Sequence, residues 1–172
     1  MPVEYKVCSK EDITQLIAVA IQSYNEHYIY LWHDEGKNYI KNSFNTEQLS
    51  KEIQDPNAIF FLVLVNNAPA GFVKLNIDKA IDSYTSDEAL ELERIYFLKN
   101  AAGKGLGKET LLMITTFAKD RGKKLIWLKA MKGGEAQGFY QKQGFEIISE
   151  TILTLPYIKE EYRGMVVMLK EI

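Results

Sequence analysis

The stretch from Leu90 to Leu111, LELERIYFLKNAAGKGLGKETL, constrains this chain more than any other part of it. Leu90, Leu92, Ile95, Tyr96, Phe97 and Leu98 make a short, aromatic-rich apolar run with charges spaced through it, which reads as a strand. Gly103-Lys104-Gly105-Leu106-Gly107 is a glycine-punctuated turn. It leads directly into Leu106, Thr110, Met113, Ile114 and Phe117 at helical spacing, so a helix is expected from about Gly105. A strand, a tight turn and a helix in that order aim free backbone N–H groups and the positive end of a helix dipole at one point. That arrangement binds phosphate. Glycine suits the turn because it accepts a positive φ and keeps no side chain between the backbone and its ligand.

Spacing excludes two phosphate loops. A P-loop counted from Gly103 needs its second glycine where Lys108 stands, and the dinucleotide pattern G-x-G-x-x-G fails at the same residue. The turn instead resembles the signature of the GNAT acetyltransferases, [QR]-x-x-G-x-[GA], mapped on Ala102-Gly103-Lys104-Gly105-Leu106-Gly107 with Ala102 in the leading position. A second block supports the resemblance. Leu125 to Ala130 reads as a buried strand, and Ala136-x-x-Phe139-Tyr140-x-x-x-Gly144-Phe145 follows it, similar to the family's A-x-x-F-Y-x-x-x-G-F. Ala136, Phe139, Tyr140 and Gln143 lie at helical spacing, with Gly144 as the helix stop before a new strand at Phe145. Within the family, Asn76-Ile77-Asp78, LELERIY, the Lys99 to Lys108 loop and FNTEQL (Phe44 to Leu49) resemble the PaiA-type polyamine acetyltransferases.

The resemblance implies a fold and a chemistry. The fold is an α/β arrangement: a mixed, mostly antiparallel seven-stranded sheet, helices on both faces, and a cofactor gap between two parallel central strands. The cofactor is acetyl-CoA. Ile95, Tyr96, Phe97 and Leu98 would pair with its pantetheine arm, one of their amides polarising the thioester carbonyl. Ala102, Gly103, Lys104, Gly105, Leu106, Gly107 and Lys108 would take the pyrophosphate. Gly133, Ala136 and Phe139 complete the cofactor set, Gly133 standing where the family often has Asn; Gln137 and Lys132 are the residues that could compensate. Tyr140 is the implied general acid, because a phenol of ordinary pKa about 10 is protonated at neutral pH and can donate. Glu93 is the candidate base, acting through a water, since a carboxylate in an otherwise apolar strand is paired or functional. Arg94 is a poor partner for it in a regular strand, where successive side chains point to opposite faces, unless a bulge intervenes. Glu91 is the fallback.

The rest of the chain fits this frame. Its 172 residues are 47% hydrophobic and 26% charged, enough for one globular domain over 1–172 with a full core. The net charge of −2 and the absence of a basic run argue against nucleic acid as a partner. With no apolar run of spanning length and no signal segment, a cytoplasmic protein free of membrane is expected. Cys8 is the single cysteine, so neither a disulfide nor a covalent acetyl-enzyme through a motif cysteine is expected, and no metal is expected at His27 and His33. Strands are expected at Val3–Val7, Ala58–Val65, Ala70–Ile77, Glu146–Leu155 and Gly164–Leu169. Ser9 with Asp12 should cap a helix bearing Ile13, Leu16, Ile17, Ala20 and Ile21; a short helix is expected within Gly36–Phe44. Asn45 or Thr46 should cap another, with Leu49 and Ile53 on one side and Glu52 on the other. Asn66-Asn67 should turn a hairpin.

For the acceptor, Tyr28, Trp32, Glu26, Asp34 and Glu35 form an aromatic and acidic stretch suited to a cation. The expected activity is therefore direct acetyl transfer to the primary amine of a small molecule, a polyamine favoured, by a monomer or homodimer. Two other activities remain open: acetylation of protein or peptide N-termini, and acetyl-CoA sensing without turnover.

Overall fold

In the structure, a computed structural model that describes residues 2–172, seven strands make one sheet in the order β1-β2-β3-β4-β5-β7-β6. They are β1 (Val3–Val7), β2 (Ala58–Val65), β3 (Ala68–Asn76), β4 (Ala89–Phe97), β5 (Leu125–Met131), β6 (Glu146–Ile152) and β7 (Gly164–Glu171). The helices are α1 (Ile13–His27), α2 (Lys37–Ser43), α3 (Thr46–Gln54), α4 (Leu106–Asp120) and α5 (Glu135–Lys142). Every neighbouring pair is antiparallel except β4 and β5. The mixed, mostly antiparallel architecture expected from the sequence is the one found.

Two cores sandwich the sheet. On one face Leu90, Leu92, Ile126 and Leu128 pack against Leu106, Ile114 and Ala118 of α4 and Tyr140 of α5. On the other, Phe60, Leu62 and Phe72 pack against Leu16, Tyr24 and Leu49 from α1 and α3 and against Trp32. Strand alternation puts successive residues on opposite faces and so feeds both cores from each central strand. Local signals hold where they were read. The Ser9 amide donates to Asp12 (2.9 Å), though this opens a single 3-10 turn ahead of α1. Asn45 caps α3 by accepting from the Gln48 amide at 2.8 Å. Asn66 and Asn67 both take positive φ, the geometry of a two-residue hairpin turn. The last hairpin differs in extent: β6 ends at Ile152 and β7 runs on to Glu171.

Two irregularities position the site. Lys74 pairs with Arg94 while the next residue, Leu75, pairs with Leu92, so Glu93 is an extra residue bulged out of β4. In the second, Val63 pairs with Gly71 and Leu64 with Pro69, which leaves Ala70 as the extra residue of β3. The end of β4 then lies very close to β3. A Cβ on Gly71 would stand 2.3 Å from the Tyr96 carbonyl oxygen and 2.7 Å from Phe97 Cδ1, so only glycine fits. Gly71→Ala is expected to cost about 1–3 kcal/mol, read as a melting temperature lower by roughly 2–10 °C in a thermal scan; an unchanged melting temperature would contradict the tight approach.

Candidate active site

The site begins where the parallel pair stops. β4 and β5 pair only at Ala89–Leu125, Leu90–Ile126 and Glu91–Trp127, yet β4 continues to Phe97 and β5 to Met131. Beyond Glu91 and Trp127 the facing edges are unpaired and a wedge opens between them. Leu98 donates its amide to Ala70 on β3 at 2.7 Å. Backbone alternation therefore turns Tyr96 and Leu98 toward β3, and Ile95 and Phe97 toward the wedge. Of the four residues expected to meet pantetheine, these two carry the available amides.

The glycine turn sits at the wide end of the wedge. Gly103 and Gly105 have φ of 77° and 80°, and a Cβ on either would meet nothing, so glycine is required there for backbone conformation alone. No backbone donor from Gly103 to Lys108 finds an acceptor within the protein; the first helical bond runs from Glu109 to Gly105. The Ala102 amide differs, since it is bonded to the Leu98 carbonyl at 3.2 Å and is not among the free donors. Leu106 is buried and anchors the turn, while Lys104 and Lys108 are exposed beside it. Gly107 has a second role: a Cβ there would lie 3.1 Å from the Phe139 ring, so its smallness lets α5 pack against the start of α4.

On α5, Tyr140 is buried between Phe139 and Phe145, with ring centroids 5.3 and 5.5 Å away. Its hydroxyl has no partner in the protein and is not sealed from solvent. Burial pushes its pKa up, and the nearby Tyr28 phenol adds to the rise, so the group keeps its proton at neutral pH. Gly133 takes a positive φ and donates its amide to Gln137 Oε1 at 2.8 Å, while Lys132 is paired with Glu150 at 2.9 Å. Gln137 and Lys132, the residues expected to stand in for the asparagine, are thus both engaged. Ala136 is exposed on the first turn of α5.

The bulge decides the fate of the two glutamates. Before it, Glu91 and Glu93 share the face that carries α1 to α3; after it, Arg94 and Tyr96 are on that same face, so Arg94 becomes a neighbour of Glu93 after all. Glu93 accepts from Lys74 at 2.9 Å and from Asn76 at 3.1 Å and lies 3.7 Å from Arg94. Burial opposes its charge, but Lys74 and Arg94 outweigh burial and hold its carboxyl below the usual range. Lys74 also pairs with Glu52 of α3, and Arg94 Nη1 reaches the same carboxylate at 3.2 Å. Glu52 lies three residues after Leu49, which is the same side of a helix, and it faces the sheet rather than the side away from it. Glu91 is different. It is 8% exposed, and burial pushes its pKa up; the Asn76 hydrogen bond at 2.7 Å opposes the rise and the charge of Glu93 adds to it. Its Oε2 has no protein partner and is open to solvent.

The expected acceptor stretch is dispersed. Glu26 accepts from the Lys99 amide at 2.6 Å and from Gln22 at 2.8 Å, tying α1 to the turn after β4. Asp34 caps the start of α2 through the amides of Gly36 and Asn38 (3.0 and 2.9 Å). Trp32 is core: its indole N–H donates to the Tyr24 hydroxyl at 2.9 Å and its ring stacks on Tyr39. Glu35 is exposed at a positive φ. Tyr28 alone of the stretch lies near Tyr140, whose pKa it raises, with its ring 5.3 Å from Tyr96 and 5.1 Å from Tyr24. Tyr24, at the start of the expected stretch, packs with Tyr39 and Tyr96; the sequence reading did not foresee that Tyr39 and Tyr96 join it, nor the ion pairs of Lys74 and Arg94 or the bonds of Asn76. A lone lysine inside the apolar run GFVKLN was the available signal for the buried charges.

The family model of the acetyltransferase (GNAT) family matches residues 17–145. The chain belongs to this family. It is accordingly an acetyl-CoA-dependent N-acetyltransferase. It is 26% identical over 156 residues, 86% of each chain, to an uncharacterized N-acetyltransferase of Lactobacillus delbrueckii subsp. lactis. Among solved structures it is similar to the PaiA N-acetyltransferase of Thermoplasma acidophilum in complex with coenzyme A, with a TM-score of 0.76 at 24% identity over 100% of both chains. A ribosomal-protein-alanine N-acetyltransferase of Brucella melitensis gives 0.69 at 16% identity, also over 100% of both. Such different proteins on one fold mean that the acceptor must be argued from this chain's own residues.

No helix among the described residues is long and apolar enough to cross a membrane, and no group of three or more potential metal ligands occurs among them. Cys8, at the end of β1, is buried with its thiol pushed up to about 12 by burial and by Asp12. A thiol reagent at pH 8 is expected to label it only after unfolding, monitored by absorbance or mass; rapid labelling of the native protein would reopen a covalent route.

Proposed function

We propose that the chain transfers acetyl from acetyl-CoA directly to the primary amine of a small molecule, through a ternary complex. The observation that carries this reading is the wedge between β4 and β5, with free amides at Ile95 and Phe97 on one wall and at Gly103 to Lys108 at its end. Backbone donors in that order match a ligand that is an amide-bearing chain at one end and a pyrophosphate at the other. Acetyl-CoA bound there supplies an activated thioester. An amide from Ile95 or Phe97 donates to the carbonyl oxygen as negative charge grows on it. Glu91 Oε2, through a water, takes the proton that the attacking nitrogen loses. Tyr140 gives its proton to the sulfur as the C–S bond breaks, and its raised pKa keeps that proton available. Glu91 is preferred to Glu93 as base because Glu93 is held as a charge by Lys74 and Arg94.

A polyamine is the favoured acceptor. The resemblance of FNTEQL and LELERIY supports it, and so do the tyrosine faces of Tyr28 and Tyr96, whose ring centroids lie 5.3 Å apart, since aromatic faces attract ammonium groups. Glu26 and Asp34, bonded to backbone amides, are not part of this reading; Glu35 is.

The deciding experiment is steady-state release of CoA thiol with acetyl-CoA and a panel of spermidine, spermine, putrescine, amino acids and short peptides. Turnover on polyamines is expected. Turnover on peptides alone would replace the small-molecule acceptor with a polypeptide, and acetyl-CoA binding with no turnover would leave a sensor. Tyr140→Phe should lower kcat by about 100-fold or more with CoA affinity unchanged by calorimetry; unchanged kcat would remove Tyr140 from the mechanism.

A further inference from the structure

One side-chain amide touches both glutamates of the site. Asn76, the last residue of β3, donates through Nδ2 to Glu91 Oε1 at 2.7 Å and to Glu93 Oε1 at 3.1 Å. An amide nitrogen has two hydrogens, so these two bonds use its donor capacity completely and fix which way the amide faces. The second carboxylate is itself fixed. Glu93 Oε2 is bonded to Lys74, and Lys74 is held by Glu52 from α3, which also binds Arg94. A continuous polar chain therefore runs from α3 through Lys74, Glu93 and Asn76 to Glu91 Oε1, and its far end leaves Glu91 Oε2 without a protein partner and open to solvent. The bulge also brings Arg94 onto the face of Glu93, beside this chain.

We infer that Asn76 is a positioning residue for proton acceptance by Glu91, and that Glu93 acts through Asn76 and by its charge to orient that carboxylate and set its acidity. The inference rests on the reading that Glu91 is the base. Its physical content is two opposed influences. The Asn76 bond favours the charged carboxylate, since a donor stabilises the anion more than the acid. Glu93, a fixed negative neighbour, favours the acid. The other charged groups facing Glu91 are Lys79, from the segment after β3, and Lys129, from β5, and both favour the anion. Those two lysines are untouched by changes at 76 and 93, so the two influences can be read separately.

The test uses the full chain without any acceptor, following the side-chain carboxyl of Glu91 by carbon NMR as pH is varied, and then the acid limb of kcat/KM with one acceptor throughout. Asn76→Ala is expected to move the Glu91 titration and the acid limb up by about one pH unit, and Glu93→Gln to move both down. Asn76→Asp, which replaces the donor by a third carboxylate, should move them up further than Asn76→Ala. A merely structural role for Asn76 would lower melting temperature and kcat without moving either titration, and that result overturns the inference. Should Asn76→Ala not fold, the downward shift in Glu93→Gln decides it alone, an unmoved Glu91 titration being the contrary result. Glu91→Gln keeps the two readings apart. If that variant retains the wild-type acid limb, the base reading is wrong, whereas loss of the limb beside an unmoved Asn76→Ala titration sinks only the positioning role.

Discussion

Everything at this site depends on a parallel pair that stops after three residue pairs. A β-edge left unpaired inside a protein is costly, because its N–H and C=O groups have given up water without gaining a partner. β4 and β5 can keep such edges only because each is fully bonded on its other side, β4 to β3 and β5 to β7. The sheet thus holds two walls apart, and the polar backbone between them is the proposed recognition surface. Side chains contribute little to that surface. Two positions where the family often presents a polar side chain are Ala102 and Gly133 here, and neither change removes a backbone donor from the segment Gly103 to Lys108.

The buried charges on the opposite face follow a different logic. Glu52, Glu93, Lys74 and Arg94 form two positive and two negative groups in close contact, with Glu52, Lys74 and Arg94 largely withdrawn from water and Glu93 at the exposed side of the set. Such a set is a weak source of stability compared with apolar packing, but removing one member leaves a buried charge without a partner. Its value here is directional. Arg94 lies over the Phe44 ring at 5.5 Å, and Lys74 lies 5.6 Å from Phe60, so the charges are also packed into the aromatic floor on which α1 to α3 rest. Position of the helices and state of the glutamates are set by the same contacts.

How much of this could be read from residues alone differs by kind of signal. Periodicity and punctuation located every strand, the hairpin at Asn66-Asn67, the cap at Asn45 and the glycine turn, because these depend on neighbours in sequence. The bulge at Glu93 was invisible for the opposite reason: it is a mismatch between two strands, and nothing in LELERIY alone says that one residue will be skipped. Without the bulge, Arg94 is on the wrong face and Glu93 is free to be a base. The acidic stretch misled in a related way. Glu26 and Asp34 look like spare charge in a list of residues, yet each faces unbonded amides, at Lys99 and at the start of α2, that need an acceptor. Tyr24, Tyr39 and Tyr96 come together only through tertiary packing.

The contact between Gly107 and Phe139 has a geometric corollary. Gly107 belongs to the segment proposed to offer amides to a pyrophosphate, and Phe139 immediately precedes the tyrosine proposed as the acid for the sulfur. On that proposal, one close contact would fix the span between the two ends of the donor, as a gauge block fixes the opening of a calliper. The molecule would then measure its thioester by the length of the arm that carries it, and an acetyl group on a shorter or longer arm would be held at the right anchor with its carbonyl in the wrong place.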